Sequence, residues 1–80
     1  MACVFIQVQV QCKPGTAYDV ANALYEREFA SEIYSTSGEF DLMLKVYIEG
    51  TEDVGKYINS KVGGIDGITR TFTTMTFKAF

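Results

Sequence analysis

Residues 3–11, CVFIQVQVQ, alternate with a period of two: Val4, Ile6, Val8 and Val10 fall on one side, Phe5, Gln7, Gln9 and Gln11 on the other. Successive side chains of a strand point to opposite faces, so this is a strand with one strongly apolar face. KPGT breaks it, and Thr16 stands as an N-cap candidate with Asp19 three residues on, close to a capping box. Ala17, Val20, Ala21 and Leu24 then recur at helical spacing and predict a helix from Ala17 to Glu28. A second strand is expected near Ser31–Thr36, a turn at Ser37-Gly38-Glu39, and a third strand over Phe40–Glu49. That third strand carries Phe40, Leu42, Leu44, Val46 and Ile48 in one row and Asp41, Met43, Lys45 and Tyr47 in the other. EGTED is the next break. Thr51 is the expected N-cap, and Glu52 and Asp53 suit the first turn, where the helix dipole favours negative charge. Val54, Tyr57, Ile58 and Val62 form a second helical stripe that Gly63-Gly64 ends. After an Asp66-Gly67 turn, Ile68–Phe77, rich in Thr and Phe, is the last strand.

The order βαββαβ, with right-handed crossovers, predicts an α+β ferredoxin-like fold: a four-stranded antiparallel sheet with two helices on one face. The rows Val4/Ile6/Val8/Val10 and Phe40/Leu42/Leu44/Val46 are expected to face the helices. The far face then carries Phe5, Gln7, Gln9, Met43, Tyr47 and part of the last strand. This mixture is too apolar for a wet surface and too polar for a core, and it suits a subunit interface. A chain of 80 residues makes one domain, 1–80, and buries only a thin core, so a partner subunit would help it.

Composition narrows the function more than the fold. With 48% hydrophobic and 21% charged residues the chain is globular. No apolar run approaches the ~20 residues of a membrane span, and no basic region precedes an apolar one at the start. The expectation is a cytoplasmic protein without membrane contact. Cys3 and Cys12 bracket one strand, roughly 30 Å apart, and cannot pair within the chain; inert thiols are expected. There is no histidine, hence neither the commonest general base nor the commonest metal ligand. The net charge is −3 and the seven basic residues are scattered from Lys13 to Lys78, so no basic stripe offers itself to nucleic acid. No cofactor or metal is implied.

No catalytic constellation stands out. Gly63-Gly64 with Gly67 lacks the strand-to-helix placement and the Lys-Ser/Thr ending of a phosphate loop. The threonines between Thr69 and Thr76 suit a strand, and their hydroxyls could also serve a ligand. The informative stretch is SGEFD, residues 37–41. A Ser-Gly turn exposes N–H groups that can receive an anionic oxygen. Asp41, on the row away from the helices, could receive an ammonium group. Together they match the charges of a free amino acid. In the alternative, Asp41 caps backbone N–H groups of its own turn.

YSTSGEFDLMLKVYI, residues 34–48, resembles the S-G-x-[YF]-D-[YL]-x-L-[KR] signature of the Lrp/AsnC effector-binding (RAM) domain. KPG after the first strand and GGIDGITRTFTTMTF near the end are also similar to that family's pattern, in the same order. The resemblance covers about Val4 to Phe77. It implies a dimer formed sheet to sheet as a dimeric α/β barrel, rings of dimers such as octamers, and a small effector, an amino acid, bound between dimers. Ser37, Gly38, Glu39, Phe40 and Asp41 map to its effector turn, and Phe72, Thr73 and Thr74 to its last-strand positions. Regulators of this family carry a helix-turn-helix ahead of the module. Here the first strand begins almost at Met1, so a stand-alone module is expected. It would not contact DNA itself and would act indirectly, through a full-length Lrp/AsnC relative. Two rivals remain beside it: a structural assembly subunit without ligand, and a small dimeric α/β-barrel enzyme.

Overall fold

A computed structural model describes residues 3–49, 53–77 and 80. The elements are β1 (Cys3–Cys12), α1 (Ala17–Glu26), β2 (Glu32–Ser35), β3 (Leu42–Glu49), α2 (Val54–Val62) and β4 (Ile68–Met75). The strands form one sheet in the order β2-β3-β1-β4, every neighbouring pair antiparallel. This is the ferredoxin-like arrangement expected from the chain.

The period-two rows do what their spacing requires. Ile6, Val8 and Val10 of β1 and Leu42, Leu44, Val46 and Ile48 of β3 are buried against Val20 and Leu24 of α1 and Ile58 of α2. Removing such side chains from water contributes about 1.5–3 kcal/mol each. The pairing Val8↔Leu44 and Ile6↔Val46 keeps these residues on one side of the sheet. Cys12 is a buried free thiol at the edge of that core. The side chains of Cys3 and Val4 lie outside the described residues.

Three local expectations change. Thr16 is not a side-chain cap: its hydroxyl donates to the Lys13 carbonyl at 2.7 Å, inside the KPGT turn, so the box with Asp19 does not form. The cap of α2 is Asp53, whose Oδ1 accepts the Lys56 N–H at 3.1 Å. Thr51 and Glu52 lie outside the described residues. Phe40, assigned from alternation to the helix-facing row, precedes β3 and stacks instead on Phe72. The chain leaves the sheet between Thr36 and Asp41, where the Thr36 N–H donates to the Asp41 carbonyl at 2.9 Å, so alternation does not extend back to Phe40.

α1 also ends sooner than its apolar spacing suggests. Arg27 is its C-cap, and Glu28 adopts a positive φ of 56°. The Arg27 guanidinium then donates from Nη1 to the carbonyls of Lys61 and Gly63, at 2.8 and 2.9 Å, tying the end of one helix to the end of the other. Gly67 marks a close approach between layers. Its φ is +101°, and a Cβ there would lie 2.9 Å from both Thr16 Oγ1 and Val20 Cγ2.

Candidate functional site

The turn between β2 and β3 is held at both ends and open in the middle. Thr36 Oγ1 donates to the Phe40 carbonyl at 2.9 Å, and the Asp41 N–H donates to the Val10 carbonyl at 2.9 Å. Gly38 sits at φ +103°, and a Cβ added there would meet nothing within 4 Å, so backbone conformation rather than crowding calls for glycine. Among the described residues, the N–H groups of Ser37, Gly38, Glu39 and Phe40 donate to no protein acceptor. A run of such donors in a turn is an anion-receiving surface.

Asp41 has a partner, though not in its own turn. Its Oδ2 accepts the backbone N–H of Cys12 at 2.7 Å. The reason lies in the β1–β3 ladder, whose last pair is Val10↔Leu42. The Val10 carbonyl points to the β3 side, where it accepts the Asp41 N–H, and the Cys12 N–H two residues on points the same way, past the end of β3, so the carboxylate takes it. Asp41 Oδ1 accepts no hydrogen bond from the described residues. The Cys12 thiol is pushed above its ordinary value of 9.0 by burial and, secondarily, by the Asp41 charge.

The turn is also fastened to β4, across the end of β1. Gln11 Nε2 donates to the Glu39 carbonyl at 3.1 Å, and Thr69 Oγ1 donates to the Gln11 carbonyl at 3.0 Å. Arg70 Nη2 lies 3.4 Å from Glu39 Oε2, with the guanidinium 5.1 Å from the centre of the Phe40 ring. The Phe40 and Phe72 rings are 6.3 Å apart and tilted by 36°.

Of the residues expected in a site, the structure thus gathers Glu39, Phe40, Asp41 and Phe72 around the turn, with Ser37 and Gly38 at its tip. Thr73 and Thr74 separate. Thr74 is paired with Gln7 on the far face, whereas Thr73 is paired with Val8 and faces the helix layer. Adjacent residues of one strand address opposite faces. Arg70 and Gln11 were not singled out from the chain, yet both touch the turn. A signal existed in each case: Arg70 shares the parity of Phe72 and Thr74, and Gln11 that of Gln7 and Gln9.

The rest of the far face is amphipathic. Lys45 lies 3.7 Å from Glu32, with its ammonium 4.9 Å from the Phe5 ring centre and 5.5 Å from that of Tyr47. Tyr34, Tyr47 and Phe72 are about half exposed there. Among the described residues no group of His, Cys, Asp and Glu side chains is placed to hold a metal ion, and no helix is long and apolar enough to cross a membrane.

The chain is thus a four-stranded βαββαβ domain with an open Ser-Gly-x-Phe-Asp turn ahead of its third strand. The family described as Lrp/AsnC ligand binding domain matches residues 3–80, and the chain belongs to it. The family is regulatory and not enzymatic, and its domains bind small-molecule effectors and oligomerise. The transcriptional regulator LrpA of Pyrococcus abyssi is 36% identical over 61 residues, covering 76% of this chain and 43% of that protein. The chain therefore spans less than half the length of that relative. In fold it is similar to TTHA0845 from Thermus thermophilus, with a TM-score of 0.85, 22% identity and 96% of each chain covered. It is also similar to the regulator NMB0573 from Neisseria meningitidis, solved as an L-Met complex, with a TM-score of 0.78, 12% identity, and 94% of this chain and 50% of that one covered.

Proposed function

We propose that residues 1–80 form a single effector-binding and oligomerisation module of the Lrp/AsnC type whose effector is a free amino acid. The observation that carries this reading is the turn itself. Four N–H groups at residues 37–40, without an acceptor among the described residues, lie beside a carboxylate with one oxygen left over. The N–H groups of Ser37–Phe40 receive the effector carboxylate, and Asp41 Oδ1 receives its ammonium. Phe40 and Phe72 supply an apolar wall, and Thr74, on the same face as Phe72, borders the side chain. The L-Met complex of the Neisseria regulator supports an amino acid as the ligand class.

The half-exposed aromatics of the far face support a homodimer that pairs sheet to sheet, with dimers joining into a larger ring. A ligand bound between copies shifts assembly by its differential affinity for the two states. With a net charge of −3 and no basic stripe, the module acts on transcription indirectly, through a DNA-binding relative, in the cytoplasm and without contacting DNA. Calorimetry against the twenty amino acids tests this with wild type and Asp41→Asn. Binding by wild type and its loss in the variant support the reading. An inert wild type refutes it.

A second reading is favoured by the Cys12 contact. Asp41 Oδ2 is already satisfied within the chain, which is what a purely structural assembly module requires. Native mass spectrometry with and without an amino-acid mixture separates the two, since an assembly module keeps one ring size throughout.

A further inference from the structure

A positive charge from β4 lies against the effector turn. Arg70 is the cation among the described residues that touches this turn. Its guanidinium is positioned by stacking on Phe40, at 5.1 Å, and its hydrogen bonding reaches a single acceptor among the described residues, Glu39 Oε2, at 3.4 Å. Both side chains are open to water, 56% for Arg70 and 68% for Glu39. An exposed pair of this kind is held weakly and is exchanged readily.

The backbone at Glu39 does not depend on that pair. Gln11 Nε2 holds the Glu39 carbonyl at 3.1 Å, and Thr36 Oγ1 holds the Phe40 carbonyl at 2.9 Å. The Glu39 side chain can leave while the turn keeps its shape. What it would vacate is a planar fork of N–H donors already oriented by an aromatic ring, a geometry that fits a carboxylate through two parallel bonds.

We infer that Arg70 selects an acidic effector, an amino acid with a second carboxylate, and that Glu39 holds the Arg70 fork until the ligand's own carboxylate displaces it. This rests on the effector reading of the turn. The charges then balance group by group: turn N–H groups to the α-carboxylate, Asp41 Oδ1 to the ammonium, and Arg70 to the side-chain carboxylate.

The test is titration calorimetry of the full chain with L-glutamate, L-aspartate, L-glutamine and L-asparagine, in wild type, Arg70→Gln, Arg70→Lys and Glu39→Gln. Circular dichroism checks that each variant is folded. In wild type an acidic amino acid binds about tenfold or more tightly than its amide, one charge-assisted contact's worth. Arg70→Gln removes that preference while leaving the amide's affinity nearly unchanged. Arg70→Lys restores part of it. Glu39→Gln tightens binding of the acid and not of the amide. If wild type binds the amides as well as the acids, or Arg70→Gln weakens both equally, the inference is wrong and the effector reading stands. If none of the four binds wild type this inference is wrong, and if none of the twenty amino acids binds the effector reading falls with it.

Discussion

The carboxylate of Asp41 accepts the backbone N–H of Cys12 at 2.7 Å, across 29 positions of sequence. This joins the start of β3 to the end of β1 just past the last pair of their ladder, Val10↔Leu42. Asp41 therefore has one oxygen committed to the fold and one available to a ligand, and substitutions can separate the two. Asp41→Ala leaves the part-buried Cys12 donor without a partner and is expected to cost about 1–3 kcal/mol in urea unfolding. Asp41→Asn keeps an acceptor for that donor and is expected to cost less than half as much, while losing the charge that would receive an ammonium. Equal losses from the two variants would show that the neutral amide cannot stand in at Cys12.

Gly38 and Gly55 predict opposite outcomes for one substitution. Gly38→Ala places a side chain at φ +103°, in open space but in a conformation that costs an L-residue about 1–2 kcal/mol. Gly55 lies inside α2, where an added Cβ meets Asp53 Oδ1 at an ordinary 3.7 Å. Gly55→Ala is expected to stabilise the chain by about 0.4–1 kcal/mol, through helix propensity and a less flexible unfolded state. Midpoints of urea unfolding, compared side by side, check the signs.

Gly67 combines both penalties. Gly67→Ala meets a φ of +101° and contacts of 2.9 Å with Thr16 Oγ1 and with the fully buried Val20. A loss of about 2–4 kcal/mol is expected from strain plus overpacking. Adding Thr16→Ala removes one of the clashing atoms and should recover part of the loss, which a double-mutant cycle by thermal melting reads directly.

Alkali should destabilise the fold. The Cys12 thiol is raised above 9.0, by burial first and the Asp41 charge second. As pH passes 9.0 the unfolded chain loses this proton before the folded one does, so stability present below 9.0 is lost above it. Tyr34, raised from 10.0 by its hydrogen bond to Glu32, acts in the same direction above 10.0. Lys45, raised from 10.5 by its hydrogen bond with Tyr47 and then by charge, keeps its contribution below 10.5 and loses it as pH climbs through the folded value. Urea unfolding at stepped pH should show stability falling from about pH 9 upward. Cys12→Ala should flatten the first part of that fall and leave the later part intact.

Much of this protein was legible in the chain because it depends on short periods. Alternation in CVFIQVQVQ and LMLKVYI named the two central strands and their buried rows, and the spacing of Val20 and Leu24 named the buried side of α1. SGEFD marked the turn, since a glycine ahead of a strand has few other uses. What failed were contacts that alternation does not govern. Phe40 left its expected row because it precedes the strand. Thr16 spent its hydroxyl on Lys13 within the preceding turn rather than on the helix, a choice open to any short polar side chain.

The local pattern by itself determined the elements, their order and the face each strand buries, because those follow from side-chain periodicity and from keeping apolar surface out of water. Only the tertiary structure decided who meets the turn. The pairing of Gln11 with Arg70, the shift at Cys12 and the approach of Phe72 to Phe40 bring residues 11–12, 39–41 and 69–72 together. No local period encodes a contact between strands so far apart in the chain. It arises when β1 is laid between β3 and β4, and it is there that Asp41 acquires its backbone partner and Arg70 its place beside Glu39.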